Sequence, residues 1–227
     1  MIAAIIPAGG VGQRFGTREP KQFYPLLGKA IILWTLEAFE GVPEIDLLVI
    51  PCLSSYQSRL EELIQQARFE KEIKIVPGGR TRQESVKQGL VSLPEETEIV
   101  LVHDAARPLV STELIKEVIQ GVRSYGAAIA ACPARDTVKR VRDLFVSYTI
   151  PREEVYLAQT PQGARYELLR YAFERAEKDR FQGTDEASLL ERVNIPVFVI
   201  PAPITNLKIT TPEDLKVAEA LLRGNTF

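Results

Sequence analysis

Histidine, cysteine and methionine are nearly missing from this chain of 227 residues, which holds one histidine, His103, two cysteines, Cys52 and Cys132, and one methionine. One imidazole and two thiols do not make a Cys/His zinc cluster. Cys52 follows an apolar stretch and Cys132 ends one, so both read as small buried residues. Long apolar runs are also lacking. None approaches the roughly 20 residues of a membrane span. The opening Met1-Ile2-Ala3-Ala4-Ile5-Ile6 is too short for a signal peptide and has no basic start, so the cytoplasm is the expected compartment. A basic excess is missing too: the net charge of −2 argues against a nucleic-acid footprint. With no internal repeat and no low-complexity linker, the length suits a single domain over 1–227, carrying one appendage.

What is present is an alternation of apolar and amphipathic segments, with 45% apolar residues to fill a core. Ile2–Ile6, Leu47–Ile50, Ile73–Val76, Ile99–Val102, Ala127–Ala131 and Val197–Ile200 read as buried strands. Helical patterning falls near 30–40, 54–69, 81–92, 111–124, 163–178, 185–192 and 212–222, with Ser111 as an N-cap and Pro212 in a first turn. This order predicts an α/β fold: a Rossmann-like, mostly parallel sheet covered by helices on both faces. The rhythm breaks at about 137–152. There Val138–Val141 and Val146–Ile150 flank Arg142-Asp143 and read as a protruding β-hairpin arm with little core of its own. Such an arm is expected to act as a dimer clasp.

The first strand runs into Pro7-Ala8-Gly9-Gly10-Val11-Gly12-Gln13-Arg14-Phe15-Gly16, followed by Pro20-Lys21-Gln22. Glycines after a strand let backbone N–H groups close around a polyphosphate, because no Cβ blocks the approach. Arg14 and Lys21 add two cations. This is not a Walker loop, since the only Gly-Lys, Gly28-Lys29, is followed by Ala30. A dinucleotide fingerprint would need an acidic residue roughly 20 positions on, and that stretch reads Ala30-Ile31-Ile32-Leu33. The expectation is a triphosphate cradle. Gly78-Gly79 and His103-Asp104 also follow strands, so in a parallel sheet they converge on the same carboxyl edge. His103, beside Asp104 at a strand end, is expected to hold structure by hydrogen bonding rather than to act as a base.

The glycine loop resembles the opening of nucleotidylyltransferases that activate small phosphorylated alcohols. Further along come Gly78-Gly79-Arg80-Thr81-Arg82-Gln83-Glu84-Ser85-Val86, Val102-His103-Asp104-Ala105-Ala106-Arg107-Pro108, Arg135-Asp136-Thr137-Val138-Lys139, Gln159-Thr160-Pro161-Gln162 and Thr184-Asp185-Glu186-Ala187-Ser188. In that order, over nearly the whole chain, they resemble the 2-C-methyl-D-erythritol 4-phosphate cytidylyltransferase family of the non-mevalonate isoprenoid pathway.

The resemblance implies attack of an acceptor phosphate oxygen on the α-phosphorus of CTP, with pyrophosphate leaving. It implies Arg14, Lys21 and Lys208 as catalytic cations. Ala8, Gly9, Gly10, Gly12, Gly79, Arg80, Ser85 and Ala105 would bind the nucleotide. Thr137, Arg152, Thr184 and Lys208 would bind the acceptor, a small polyol phosphate, and Asp104 would hold Mg²⁺. Arg107 would contact phosphate or pair with a nearby acid. It also implies a homodimer in which Thr137 and Arg152, flanking the arm, reach the other subunit's acceptor site. This chain has Gly9 where many relatives have Ala, and Arg80 where an acidic residue can occur. Alternatives are a ribitol 5-phosphate cytidylyltransferase, a sugar-phosphate uridylyl- or guanylyltransferase, a non-catalytic CTP-binding regulatory module and, more weakly, a dinucleotide-dependent dehydrogenase.

Overall fold

The computed structural model describes residues 1–9 and 20–224. In chain order the elements are β1 (Ile2–Ile5), β2 (Pro25–Leu26), β3 (Lys29–Ala30), α1 (Ile31–Glu40), β4 (Leu47–Cys52), α2 (Gln57–Ala67), β5 (Glu72–Pro77), α3 (Arg82–Val91), β6 (Ile99–Val102) and α4 (Thr112–Tyr125). There follow β7 (Ala127–Pro133), β8 (Val138–Arg142), β9 (Phe145–Ile150), β10 (Tyr156–Arg165), α5 (Tyr166–Lys178), α6 (Glu186–Arg192), β11 (Phe198–Pro201) and α7 (Pro212–Gly224).

Among the described residues the main sheet has seven strands in the order β11-β7-β10-β6-β1-β4-β5. The pairs β1/β4, β1/β6, β4/β5 and β7/β11 are parallel. Alternate residues of each strand serve opposite faces. Ala4, Leu48, Ile50 and Leu101 pack with Leu36 and Phe39 of α1, Leu60 of α2 and Ile115 and Val118 of α4. Ala3, Ile5, Val49, Val100 and Val102 pack with Val86 and Leu90 of α3, Leu169 and Phe173 of α5 and Leu189 and Leu190 of α6. The doubly covered sheet matches the expectation. Both cysteines are buried and free, and burial pushes the Cys52 thiol up to about 11, so it stays protonated and inert.

One sheet strand escapes the apolar pattern. The helix expected from 163 begins at Tyr166, and the residues before it form β10, antiparallel to both β6 and β7. Pro161 and Gly163 sit inside this strand and hide it, because neither favours a ladder position. Its pairing with β7 is interrupted between Ala158 and Gln162, which is where Pro161 is accommodated. Gly163 is dictated by packing: a Cβ there would lie 2.5 Å from Leu101 Cδ2 and 2.9 Å from Val122 Cγ2. The arm is present as β8 paired with β9 around a tight turn in which Asp143 and Leu144 both have positive φ.

A buried polar brace ties β6 to β10 beneath the carboxyl edge. His103 is fully buried and lies against Phe39, with ring centroids 5.0 Å apart. Its Nε2–H donates to the Arg107 carbonyl at 3.2 Å. That leaves Nδ1 to accept from the Thr160 hydroxyl at 3.1 Å, and the same hydroxyl accepts from the Asp104 N–H at 3.1 Å. Both ring nitrogens are therefore engaged, which is the structural role expected of this residue. Burial, reinforced by the Arg107 and Arg82 cations, outweighs the Arg107 carbonyl and Asp104, and pushes the imidazole from 6.5 down to about 3. The unfolded chain thus takes up a proton that the folded one refuses. Stability falls as pH drops from 6.5 towards 3, by at most about 1.4 kcal/mol per pH unit from this group. Urea unfolding between pH 7 and 4 should show a shallower acid slope in His103→Gln than in the wild type. Equal slopes would mean that His103 is not held neutral by the fold.

Candidate active site

The carboxyl ends of β1, β4, β5 and β6 open onto one edge, and backbone builds its first wall. Beyond β1, the Ile6 and Ala8 N–H groups donate to the Val49 and Pro51 carbonyls, both at 2.8 Å. Ala8 forms a parallel bridge with Cys52, and its carbonyl accepts from Gln22 Nε2 at 2.5 Å. Beyond β5, the Gly78 N–H donates to the Cys52 carbonyl at 2.7 Å. The Gly79 N–H donates to Ser85 Oγ at 3.0 Å, and that hydroxyl donates to the Thr81 carbonyl at 2.9 Å. A Cβ on Gly79 would meet Glu84 Cβ at 2.3 Å, so this turn requires glycine. A Cβ on Gly9 would lie 3.1 Å from Ser85 Oγ. Ala8, Gly9, Gly79 and Ser85 therefore come together in space. Ala105 is buried at the end of β6, where its carbonyl accepts from Thr35. Arg80 is exposed, and its N–H donates to Glu84 Oε2 at 2.7 Å beside the Thr81–Glu84 capping box of α3. Gly10, Gly12 and Arg14 lie outside the described residues.

Charge builds the second wall. Asp104 Oδ1 accepts from Arg82 Nε at 3.0 Å. Its Oδ2 meets Lys208 Nζ at 2.9 Å and Arg107 Nε at 3.3 Å. Burial alone would raise the Asp104 carboxyl, but Arg82, Lys208 and Arg107 hold it well below the usual carboxylate range. Lys21 Nζ donates to the Ile209 carbonyl at 2.6 Å, next to Lys208 in the chain. Arg107 Nη1 donates to the Asn206 carbonyl at 2.8 Å, and the Asn206 amide donates to Gln159 Oε1 and the Thr160 carbonyl. The segment 206–209 is thereby tied to the turn after β6 and to β10; it sets Lys208 on Asp104 and takes the Lys21 hydrogen bond on its Ile209 carbonyl.

The acceptor residues expected from sequence divide. Lys208 lies in that cluster. Thr184 is exposed just before Asp185, the N-cap of α6. Thr137 and Arg152 are exposed at the two feet of the arm. Arg152 contacts Glu153 and the Arg135 carbonyl. Among the described residues, no hydrogen bond or ion pair joins Thr137 or Arg152 to Asp104.

Two members of the cluster carry no role predicted from sequence. Arg82 opens α3 and Glu186 opens α6, and they form a two-pronged ion pair at 2.7 and 2.9 Å. A signal was available for Arg82: a cation in the first turn opposes the helix dipole and calls for a strong partner.

Comparison with known proteins identifies the family. The model of the family IspD, 2-C-methyl-D-erythritol 4-phosphate cytidylyltransferase, fits residues 2–224. The protein of that description from Syntrophus aciditrophicus (strain SB) is 43% identical, covering 98% of this chain and 96% of its own. The crystal structure of 4-diphosphocytidyl-2C-methyl-D-erythritol synthase from Anaerococcus prevotii DSM 20548 superposes with a TM-score of 0.89 at 31% identity, covering 98% of this chain and 96% of that one. The 2-C-methyl-D-erythritol 4-phosphate cytidylyltransferase of Thermus thermophilus superposes with a TM-score of 0.80 at 33% identity, covering 97% and 98% of the two chains. With its fold and its whole-length sequence similarity in agreement, this chain belongs to the 2-C-methyl-D-erythritol 4-phosphate cytidylyltransferase family.

Proposed function

We infer that the chain joins CTP to 2-C-methyl-D-erythritol 4-phosphate, giving 4-diphosphocytidyl-2-C-methyl-D-erythritol and pyrophosphate. The observation that carries the reading at residue level is the Lys208–Asp104 ion pair, with Lys21 on the adjoining Ile209 carbonyl, at the same carboxyl edge as the Gly9–Ser85–Gly79 turn. The attacking phosphate oxygen is already an anion, so no general base is needed. His103, with both nitrogens bonded, does not serve as one. The obstacle is repulsion between acceptor and triphosphate, and charge growing on the leaving pyrophosphate. Fixed cations and N–H dipoles lower that barrier. We assign Arg14, Lys21 and Lys208 to this task, with the N–H groups of Gly9, Gly10 and Gly12.

Ala8, Gly79, Arg80, Ser85 and Ala105 are assigned to the cytidine. Distinguishing cytosine from uracil calls for acceptors facing the exocyclic amine. Backbone carbonyls around Gly79, that of Arg80 among them, would supply such acceptors. Asp104 is assigned to Mg²⁺. Among the described residues no group of three or more His, Cys, Asp or Glu is placed to hold a metal. A single ionised carboxylate still fits an ion whose other ligands are substrate phosphates and water. Bound there, Mg²⁺ would neutralise triphosphate charge as a Lewis acid. Thr184 and Lys208 are assigned to the acceptor, together with Thr137 and Arg152 contributed by the other subunit of a homodimer. Support for the dimer is the apolar surface that the arm exposes at Val141, Leu144, Phe145, Val146 and Tyr148, which a second copy would cover. Among the described residues no helix is long and apolar enough to cross a membrane. The same reading places the enzyme in the cytoplasm, acting on small molecules without nucleic acid or membrane.

Pyrophosphate release tests the activity, with CTP and Mg²⁺ and either 2-C-methyl-D-erythritol 4-phosphate, ribitol 5-phosphate or no acceptor. Release with the first alone is expected. Release only with ribitol 5-phosphate would keep the chemistry and change the acceptor, and CTP binding without release would leave a regulatory module. Lys21→Gln and Lys208→Gln should each lower kcat by about 100-fold or more. An effect confined to KM would reassign them to ground-state binding. In verified heterodimers, Arg152→Ala and Lys21→Ala subunits should together recover activity that neither homodimer has. No recovery would mean that each site is built from one chain.

A further inference from the structure

The two oxygens of Asp104 are held differently. Oδ1 faces Arg82, whose three donor nitrogens are all committed: Nε to Oδ1 at 3.0 Å, and Nη1 and Nη2 to the two Glu186 oxygens at 2.7 and 2.9 Å. The Glu186 side chain is 3% exposed. Its backbone is bolted to β10, because Gln162 accepts from the Ala187 N–H and donates to Asp185 Oδ2, both at 2.9 Å. Oδ2 faces Lys208, whose side chain is 36% exposed on a flexible stem, and Arg107 at the longer distance of 3.3 Å. One oxygen is thus clamped from behind, and the other is shared by Arg107 and by Lys208, the most exposed of the three cations.

An arginine left alone beside a carboxylate takes both of its oxygens in a fork. Glu186 prevents that by occupying the fork of Arg82 and turning it edge-on to Asp104. We propose that Glu186 and Arg82 are positioning residues that fix Asp104 by Oδ1 alone, keeping Oδ2 as the oxygen that passes from Lys208 to the metal–nucleotide. This rests on the assignment of Asp104 to the metal. Loss of the Glu186 charge frees Arg82 to claim both oxygens and compete with the ion. Loss of both charges removes the competitor but also the aim.

The test measures Mn²⁺ binding to the full-length enzyme with α,β-methylene-CTP, by the electron paramagnetic resonance of the free ion, alongside kcat and metal-free affinity for the analogue. Glu186→Gln should weaken Mn²⁺ binding about tenfold or more without changing metal-free affinity. Adding Arg82→Gln should return Mn²⁺ affinity to within about threefold of the wild type while kcat stays at least tenfold down. This double variant leaves no buried charge unpaired, so it provides the reading if Glu186→Gln fails to fold. Wild-type kcat in the double variant, unchanged Mn²⁺ affinity in Glu186→Gln, or parallel loss of metal-free binding would each overturn the proposal. Asp104→Asn is the separate control: if it leaves Mn²⁺ affinity intact, the metal assignment itself fails.

Discussion

Asp104 carries a full negative charge where only 9% of its side chain meets solvent, and the surrounding architecture compensates it. A buried charge is tolerated only when paired and hydrogen-bonded, and removing one partner of such a pair costs about 3–5 kcal/mol. The partners come from distant stretches: Arg82 from the start of α3, Arg107 from the turn after β6, Lys208 from the segment before α7. Glu186, at the start of α6, balances Arg82 in turn. Each helix start is then fixed by a cap of its own, the Thr81–Glu84 box for α3 and Asp185–Ser188 for α6. The cluster is a junction where two helices of one layer, the turn after β6 and the segment before α7 agree on one geometry.

The first wall rests on a different principle, close approach of backbone. Ala8, Cys52 and Gly78 are joined by main-chain hydrogen bonds across the ends of β1, β4 and β5. Side chains enter mainly as Ser85, whose hydroxyl receives the Gly79 N–H. A wall of this kind offers carbonyls and N–H groups at fixed positions and needs little reorganisation when charge develops. The two walls meet through Lys21, which reaches from the end of the first loop to Ile209, beside Lys208.

Much of this was legible in the sequence, for identifiable reasons. The strands buried on both faces announce themselves as apolar runs, and Ser111 caps α4 as its spacing implied, accepting from the Leu114 N–H. Convergence of the three loops follows from parallel strands alone. β10 was illegible because Pro161 and Gly163 violate local strand preference and are tolerated only through a bulge and close packing against Leu101 and Val122. The Arg82–Glu186 pair was illegible because its members lie 104 positions apart, and no local pattern links the two. Asp104 and Lys208 were found through motif resemblance, whereas their contact is a matter of tertiary placement.

The order in which the cluster's members occur along the chain has a consequence for synthesis. A polypeptide is made from its N-terminus, so early segments wait for late ones. Arg82, Asp104 and Arg107 emerge together, two cations to one anion, well before Glu186 and Lys208. β6 likewise waits for β10 to cover its flank. The apolar face of β1, β4 and β6 that packs on α5 and α6, and the polar edge above it, both stay incomplete until the later segments arrive. Completion of the cluster is therefore deferred to the docking of α6 and of the segment carrying Lys208.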